Sequence, residues 1–276
     1  MMRSNIFDYR NYFYFKVAVV MILAAFFAWL LFEPAVGYYG GSRMGYALGV
    51  IAAGLVLWMA WYGVRKRRYR SSGSTQGWLS AHIYLGTALL FIASFHSGFH
   101  FGFNIHTVAY AMLVIVVASG FFGNYAYMIY PRQMTDNMGE DSLDGLLLRI
   151  AEADKLARQI ALVMPDEIND LVARACRETC IGGGLVEQLR GYRPDCPTAL
   201  AVQRMQSLGK ELSADQRKLY RELYSIMVRR HSLVRRVRQD LMYRARLGFW
   251  LYFHVPFTFA LLTAMFAHII AVFTYW

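Results

Sequence analysis

Acidic residues are scarce in this chain: 18 Asp and Glu against 29 Lys and Arg in 276 residues, a formal net charge of +11. Charge of either sign makes up only 17% of the residues, and it is missing altogether from long stretches. Val17 to Phe32, Met44 to Val64, Trp78 to Phe99, Ile105 to Tyr130 and Gly248 to Trp276 contain no acidic or basic residue. Soluble domains carry about 25% charged residues, so this distribution excludes an ordinary soluble globule. Cysteine is nearly absent too: Cys176, Cys180 and Cys196 are the only three. That number excludes a disulfide framework, and an iron–sulfur cluster motif normally supplies four cysteines in tighter spacing. We read them as reduced thiols. There is no nucleotide-binding glycine fingerprint, hence no flavin or nicotinamide domain. No small-residue cleavage site follows the first apolar stretch, so a signal peptide is not expected.

What is present is apolar length. Four of the five stretches reach the roughly 20 residues that span a hydrocarbon core about 30 Å thick. The first does so when Tyr12 to Phe15 are added across Lys16, whose amine can snorkel to the interface. The expectation is an all-α membrane protein with five transmembrane helices. Arg3, Arg10 and Lys16 precede the first span, and Arg65, Lys66, Arg67, Arg68 and Arg70 follow the second. Short loops rich in Lys and Arg stay in the cytoplasm. This rule puts the N-terminus and residues 131–247 inside, and the loops around Gly40 and Phe101 outside with Trp276. Topology thus accounts for the basic excess, and no nucleic-acid partner is expected.

Three regions follow: residues 1–130 with four spans, 131–247 as a helical cytoplasmic insertion, and 248–276 as the fifth span. Pro131 is expected to end the fourth span, because proline lacks an amide donor and clashes with the preceding turn. Within the insertion, apolar residues recur at helical spacing from Leu143 to Met164. A shorter helix covers Asp166 to Cys180, stopped by Gly182 to Gly184. Residues 193–197 read as a loop. Ser213 and Gln216 form a capping box that opens a helix dense in arginine (Arg229, Arg230, Arg235, Arg236, Arg238). This helix runs through Arg246 and can continue into the last span.

Four histidines lie within the apolar spans as two pairs, His82 with His96 and His254 with His268, and each pair is separated by fourteen residues. On a helix that step is about 40° short of four turns and about 21 Å of rise. Both rings of a pair therefore share one face, near opposite membrane surfaces. Ionisable groups in a membrane are costly unless they pair or serve a site, and neutral imidazole is an axial ligand for haem iron. The third and fifth spans run parallel, which levels His82 with His254 on the inside and His96 with His268 on the outside. Two haems, each with imidazole on both axial positions, would carry electrons and not activate ligands. Gly86 and Gly98 would leave room for a porphyrin. Ser80, Ser94, Ser97 and Thr258 are candidate partners for the second ring nitrogens. Arg43 outside and Arg70, Arg244 or Arg246 inside are candidates for the propionates. His100 shares the face of His82 but has no counterpart at its interval in the last span. With His106 it lies near the outer level, where a quinone could hydrogen-bond. His231, on the arginine-rich helix, reads as solvated.

The paired interval on parallel helices resembles the dihaem core of the cytochrome b subunits of quinol–cytochrome c oxidoreductases. Trp78 to Gly86, Phe95-His96-Ser97-Gly98-Phe99 and His254-Val255-Pro256 also look like prokaryotic membrane cytochromes b, which work beside iron–sulfur proteins or multihaem c-type cytochromes. The resemblance covers Trp78 to Tyr130 and Leu247 to Trp276, about a third of the chain. It implies two b-type haems on the four histidines and a role as one subunit of a redox complex. No Pro-Glu-Trp-Tyr quinol motif is present, so quinol chemistry does not transfer. A transmembrane ferric or metal reductase core and a haem-free scaffold or transporter, with the histidines as interhelical contacts, are the alternative readings.

Overall fold

The computed structural model describes residues 6–32, 37, 39–67, 75–209, 212 and 214–275. Among them there is no strand. The helices are α1 (Phe13–Leu31), α2 (Arg43–Arg67), α3 (Thr75–Ser97), α4 (Ile105–Met138), α5 (Leu143–Ala161), α6 (Asp166–Glu178), α7 (Leu185–Arg190), α8 (Pro197–Leu208) and α9 (Ala214–Tyr275). Five helical stretches, beginning at Phe13, Arg43, Gln76, Ile105 and Gln216, are long and apolar enough to cross a membrane. Arg3, Arg68, Arg70 and Ser213 lie outside the described residues.

Pro131 does not end α4. The helix runs through it to Met138. The missing amide costs one hydrogen bond, but the carbonyl of Pro131 accepts from the Thr135 hydroxyl at 3.0 Å. The stop comes at Gly139, whose φ of +59° is the left-handed conformation that closes helices. Arg236 of α9 then secures this end, donating to the carbonyls of Asn137 at 2.8 Å and Met138 at 2.6 Å. A cation on the last carbonyls is where the helix dipole favours one. The proline's local cost is thus outweighed by a helix end fixed eight residues later.

The chain divides into two compact units, Met1–Tyr125 with Trp250–Trp276, and Ala126–Phe249. In the first, α2, α3, α4 and α9 meet around Val56, Leu89, Ala93, Leu113, Leu261 and Met265, all buried. Helix α1 packs on the α2–α3 side, where Ala25 meets Leu48 and Ile92. Ser42 begins α2 by accepting the Gly45 amide at 3.0 Å, and Asn104 begins α4 by accepting the Thr107 amide at 3.0 Å. Both are N-caps in which a side-chain oxygen satisfies an amide of the first turn.

In the second unit, α5, α6 and α8 pack on the stretch of α9 from Tyr220 to Met227, with Ala157, Val172 and Met205 fully buried. The 193–197 segment is shorter as a loop than expected, because α8 starts at Pro197, a helix-start position that needs no amide. Arg230 is 2% exposed and is paired with Asp154, while its other arm donates to the Thr198 hydroxyl. His231 is half-buried instead of solvated. Burial, followed by the charges of Arg235 and Arg238, holds its imidazole below the ordinary histidine pKa. The three cysteines are free. Burial, then the neighbouring Asp154 carboxylate, pushes the Cys176 thiol up. It therefore stays protonated, which disfavours both metal ligation and nucleophilic attack.

Candidate functional site

The four span histidines fall on α3 (His82, His96) and α9 (His254, His268). The rings of His96 and His268 lie 6.0 Å apart, nearly perpendicular at 81°. His82 and His254 are the other pair carried by the same two helices. Midway between these levels, Leu89, Ala93, Leu261 and Met265 share one buried cluster. The sequence offset from His82 to His254 recurs from Leu89 to Leu261, Ala93 to Met265 and His96 to His268. A single offset along the shared face means that α3 and α9 run parallel and in register.

One histidine at each level is held by its Nδ1. His96 donates this N–H to the Gly45 carbonyl at 2.7 Å. At the other level Nδ1 of His254 lies 2.8 Å from the Ser119 hydroxyl oxygen. When Ser119 gives its one hydroxyl hydrogen to the Val116 carbonyl at 2.8 Å, its oxygen accepts the proton on Nδ1 of His254. In both rings this tautomer leaves Nε2 with a lone pair. A second hydrogen bond of this kind is how proteins orient metal-ligating imidazoles. The other member of each pair, His82 or His268, has a buried Nδ1 with no hydrogen-bond partner among the described residues.

The walls around these rings are built from glycine. A Cβ on Gly49 would stand 2.7 Å from Cε1 of His96, and one on Gly40 3.4 Å from it. In α4 a Cβ on Gly120 would meet His254 at 3.7 Å, and one on Gly123 would overlap the Trp250 indole at 2.1 Å. That indole stacks on His254 at 5.1 Å and donates to the Ser119 carbonyl at 2.6 Å. Tyr62 of α2 lies 5.1 Å from His82. Ser119, Gly45, Gly49, Gly120, Trp250 and Tyr62 were not singled out from sequence.

The expected ring partners are otherwise engaged. Ser94 donates to the Leu90 carbonyl, Ser97 to that of Ser94, and Thr258 to that of His254. All three satisfy their own helix backbone, which short hydroxyl side chains commonly do. Ser80 is buried, and its hydroxyl has no partner among the described residues. Gly86 faces Met59, whose sulfur a Cβ would meet at 3.5 Å. Gly98 has φ +58° just past the end of α3, a backbone need. Arg43 is exposed, two residues before the carbonyl that holds His96. Arg244 pairs with Asp240 at 2.6 Å, and Arg246 donates to the Leu189 carbonyl at 3.2 Å. His100 is exposed and bonded locally to the Gly98 carbonyl at 2.8 Å.

Whether these residues suit haem can be judged from the ring spacing. Two imidazoles on opposite sides of one metal, each nitrogen about 2.0–2.1 Å from it, put their ring centroids about 6 Å apart. The 6.0 Å between His96 and His268 meets that requirement. The glycines at 40 and 49 make room for the His96 ring itself. Among the described residues no group of three or more His, Cys, Asp or Glu could hold a bare metal ion.

Compared with known protein families, curated proteins and solved structures, the chain matches none.

Proposed function

We propose that this chain is a b-type dihaem cytochrome subunit that carries electrons across a prokaryotic inner membrane, between the quinone pool and a partner redox protein. The reading rests chiefly on one observation: two levels of histidines on parallel, in-register helices, with one imidazole per level fixed by its Nδ1. His82 and His254 would hold the inner haem, His96 and His268 the outer. Bound haem supplies a one-electron ferric–ferrous couple. Gly45 and Ser119 keep the Nε2 lone pairs of His96 and His254 available. The Leu89–Leu113–Leu261–Met265 layer excludes water between the levels, so the path would pass electrons without leaking protons. Arg43 would meet the propionates on the outer side, where the exposed His100 would be open to a quinone headgroup. The N-terminus and the arginine-rich helical insertion would lie in the cytoplasm and Trp276 outside. The partner would be an iron–sulfur protein or a c-type cytochrome.

The deciding experiment is a reduced-minus-oxidised visible spectrum of the purified protein with a pyridine haemochrome count. Two b-type haems per chain are expected. A well-folded preparation without a Soret band would return the histidines to interhelical packing and leave the scaffold reading standing.

Glycine at position 49 gives a separate check. Gly49→Val would drive a branched side chain into His96, and its neighbours cannot yield, because that ring is tied to Gly45. Loss of the outer haem with the inner one retained is the expected spectrum. Two intact haems in Gly49→Val would show that His96 does not need the place it occupies.

A further inference from the structure

At the outer level a third imidazole meets the pair. His106, in the first turn of α4, lies with its ring 4.4 Å from that of His268 and at 83° to it. At this separation the rings touch edge to face, and a metal between them, which needs about 6 Å between centroids, does not fit. His106 is therefore not placed to share an iron with His268. It is placed beside a ring whose Nδ1 is buried and without a hydrogen-bond partner among the described residues. The other member of the outer pair, His96, has the Gly45 carbonyl. An exposed imidazole at this distance carries a nitrogen able to accept, and its terminal torsion is broad and easily turned.

Building on the dihaem reading, we propose that His106 is the positioning residue of His268, accepting its Nδ1–H and so fixing the ring that ligates the outer haem. Accepting that proton raises the basicity of the imidazole, which stabilises ferric iron and lowers the reduction potential. The effect should be confined to one haem, because the ring that His106 meets belongs to the outer pair.

The test is a redox titration with low-temperature electron paramagnetic resonance on the full-length protein, comparing wild type, His106→Ala and His106→Gln. In His106→Ala two haems per chain are expected to remain. One of them should titrate at a higher potential with a changed low-spin signal, while the other is unchanged. His106→Gln, whose amide oxygen can accept the same N–H, should move both readings back towards wild type and guards against a misfolded alanine variant. Unchanged potentials and signals in His106→Ala, with two haems present, would overturn the proposal and leave the dihaem reading intact. Loss of a haem in both variants would also overturn it, since His106 would then be a ligand. A wild type without haem would remove the reading beneath it, and the proposal with it.

Discussion

Replacing any one of the four span histidines by alanine is expected to cut the haem count from two per chain to one, and which haem goes should depend on level. His82→Ala and His254→Ala should spare the haem that His96→Ala and His268→Ala remove, and the reverse. The reason lies in the in-register helices: each level would draw one ligand from α3 and one from α9, and the buried cluster between them would keep the levels from exchanging partners. Metal-site losses of this kind are large because affinity depends on ligand count and on oriented rings. A control is Ser119→Ala, which leaves all four ligands but frees the Nδ1 of His254. It should weaken retention of the inner haem by about 10–100-fold, read as haem lost during dilution or competition with an apoprotein trap. If His82→Ala and His96→Ala remove the same spectral component, the two-level assignment is wrong. Full retention in every variant would mean that the histidines bind no haem.

The second large effect belongs to the other unit. Asp154→Ala would leave the guanidinium of Arg230 in a site where it is 2% exposed, with only the Thr198 hydroxyl, among the described residues, to satisfy it. Breaking a buried ion pair from one side costs about 3–5 kcal/mol, because the desolvated charge stays behind. The pair of Arg204 with Glu167 in the same unit is 62% and 60% exposed, and such surface pairs are worth about 0–1 kcal/mol. Urea titration of the full chain in detergent, following the helical signal lost outside the detergent-embedded helices, should show a much lower midpoint for Asp154→Ala than for Glu167→Ala. Equal midpoints would mean that Arg230 finds water or another acceptor on losing Asp154. Haem content should be unchanged in both variants, since neither residue belongs to the histidine unit.

The sequence carried the apolar stretches and the fourteen-residue interval plainly, because both depend on residue type and helical period alone. It did not carry what holds the rings. Ser119 and Gly45 sit on α4 and α2, and nothing along either helix marks a residue that touches a histidine far away in sequence. The nearer hydroxyls of Ser94, Ser97 and Thr258 misled because a helix offers them its own carbonyls first. The available signal was steric: Gly45 and Gly49, one turn apart, and Gly120 and Gly123 mark where helices approach closely. Helices α7 and α8 escaped notice because six and twelve residues are too few for a clear periodic pattern. Pro131 misled because a local rule about proline was outweighed by distant contacts from Arg236.

The shared register of α3 and α9 bears on how the chain is made. Each of the level pairs, His82 with His254 and His96 with His268, has one member before the long insertion and one after it, so during translation neither exists until α9 has left the ribosome. A chain arrested anywhere in the insertion carries half of both sites and the whole of neither. Completion of either pair thus reports that α9 has entered beside α3.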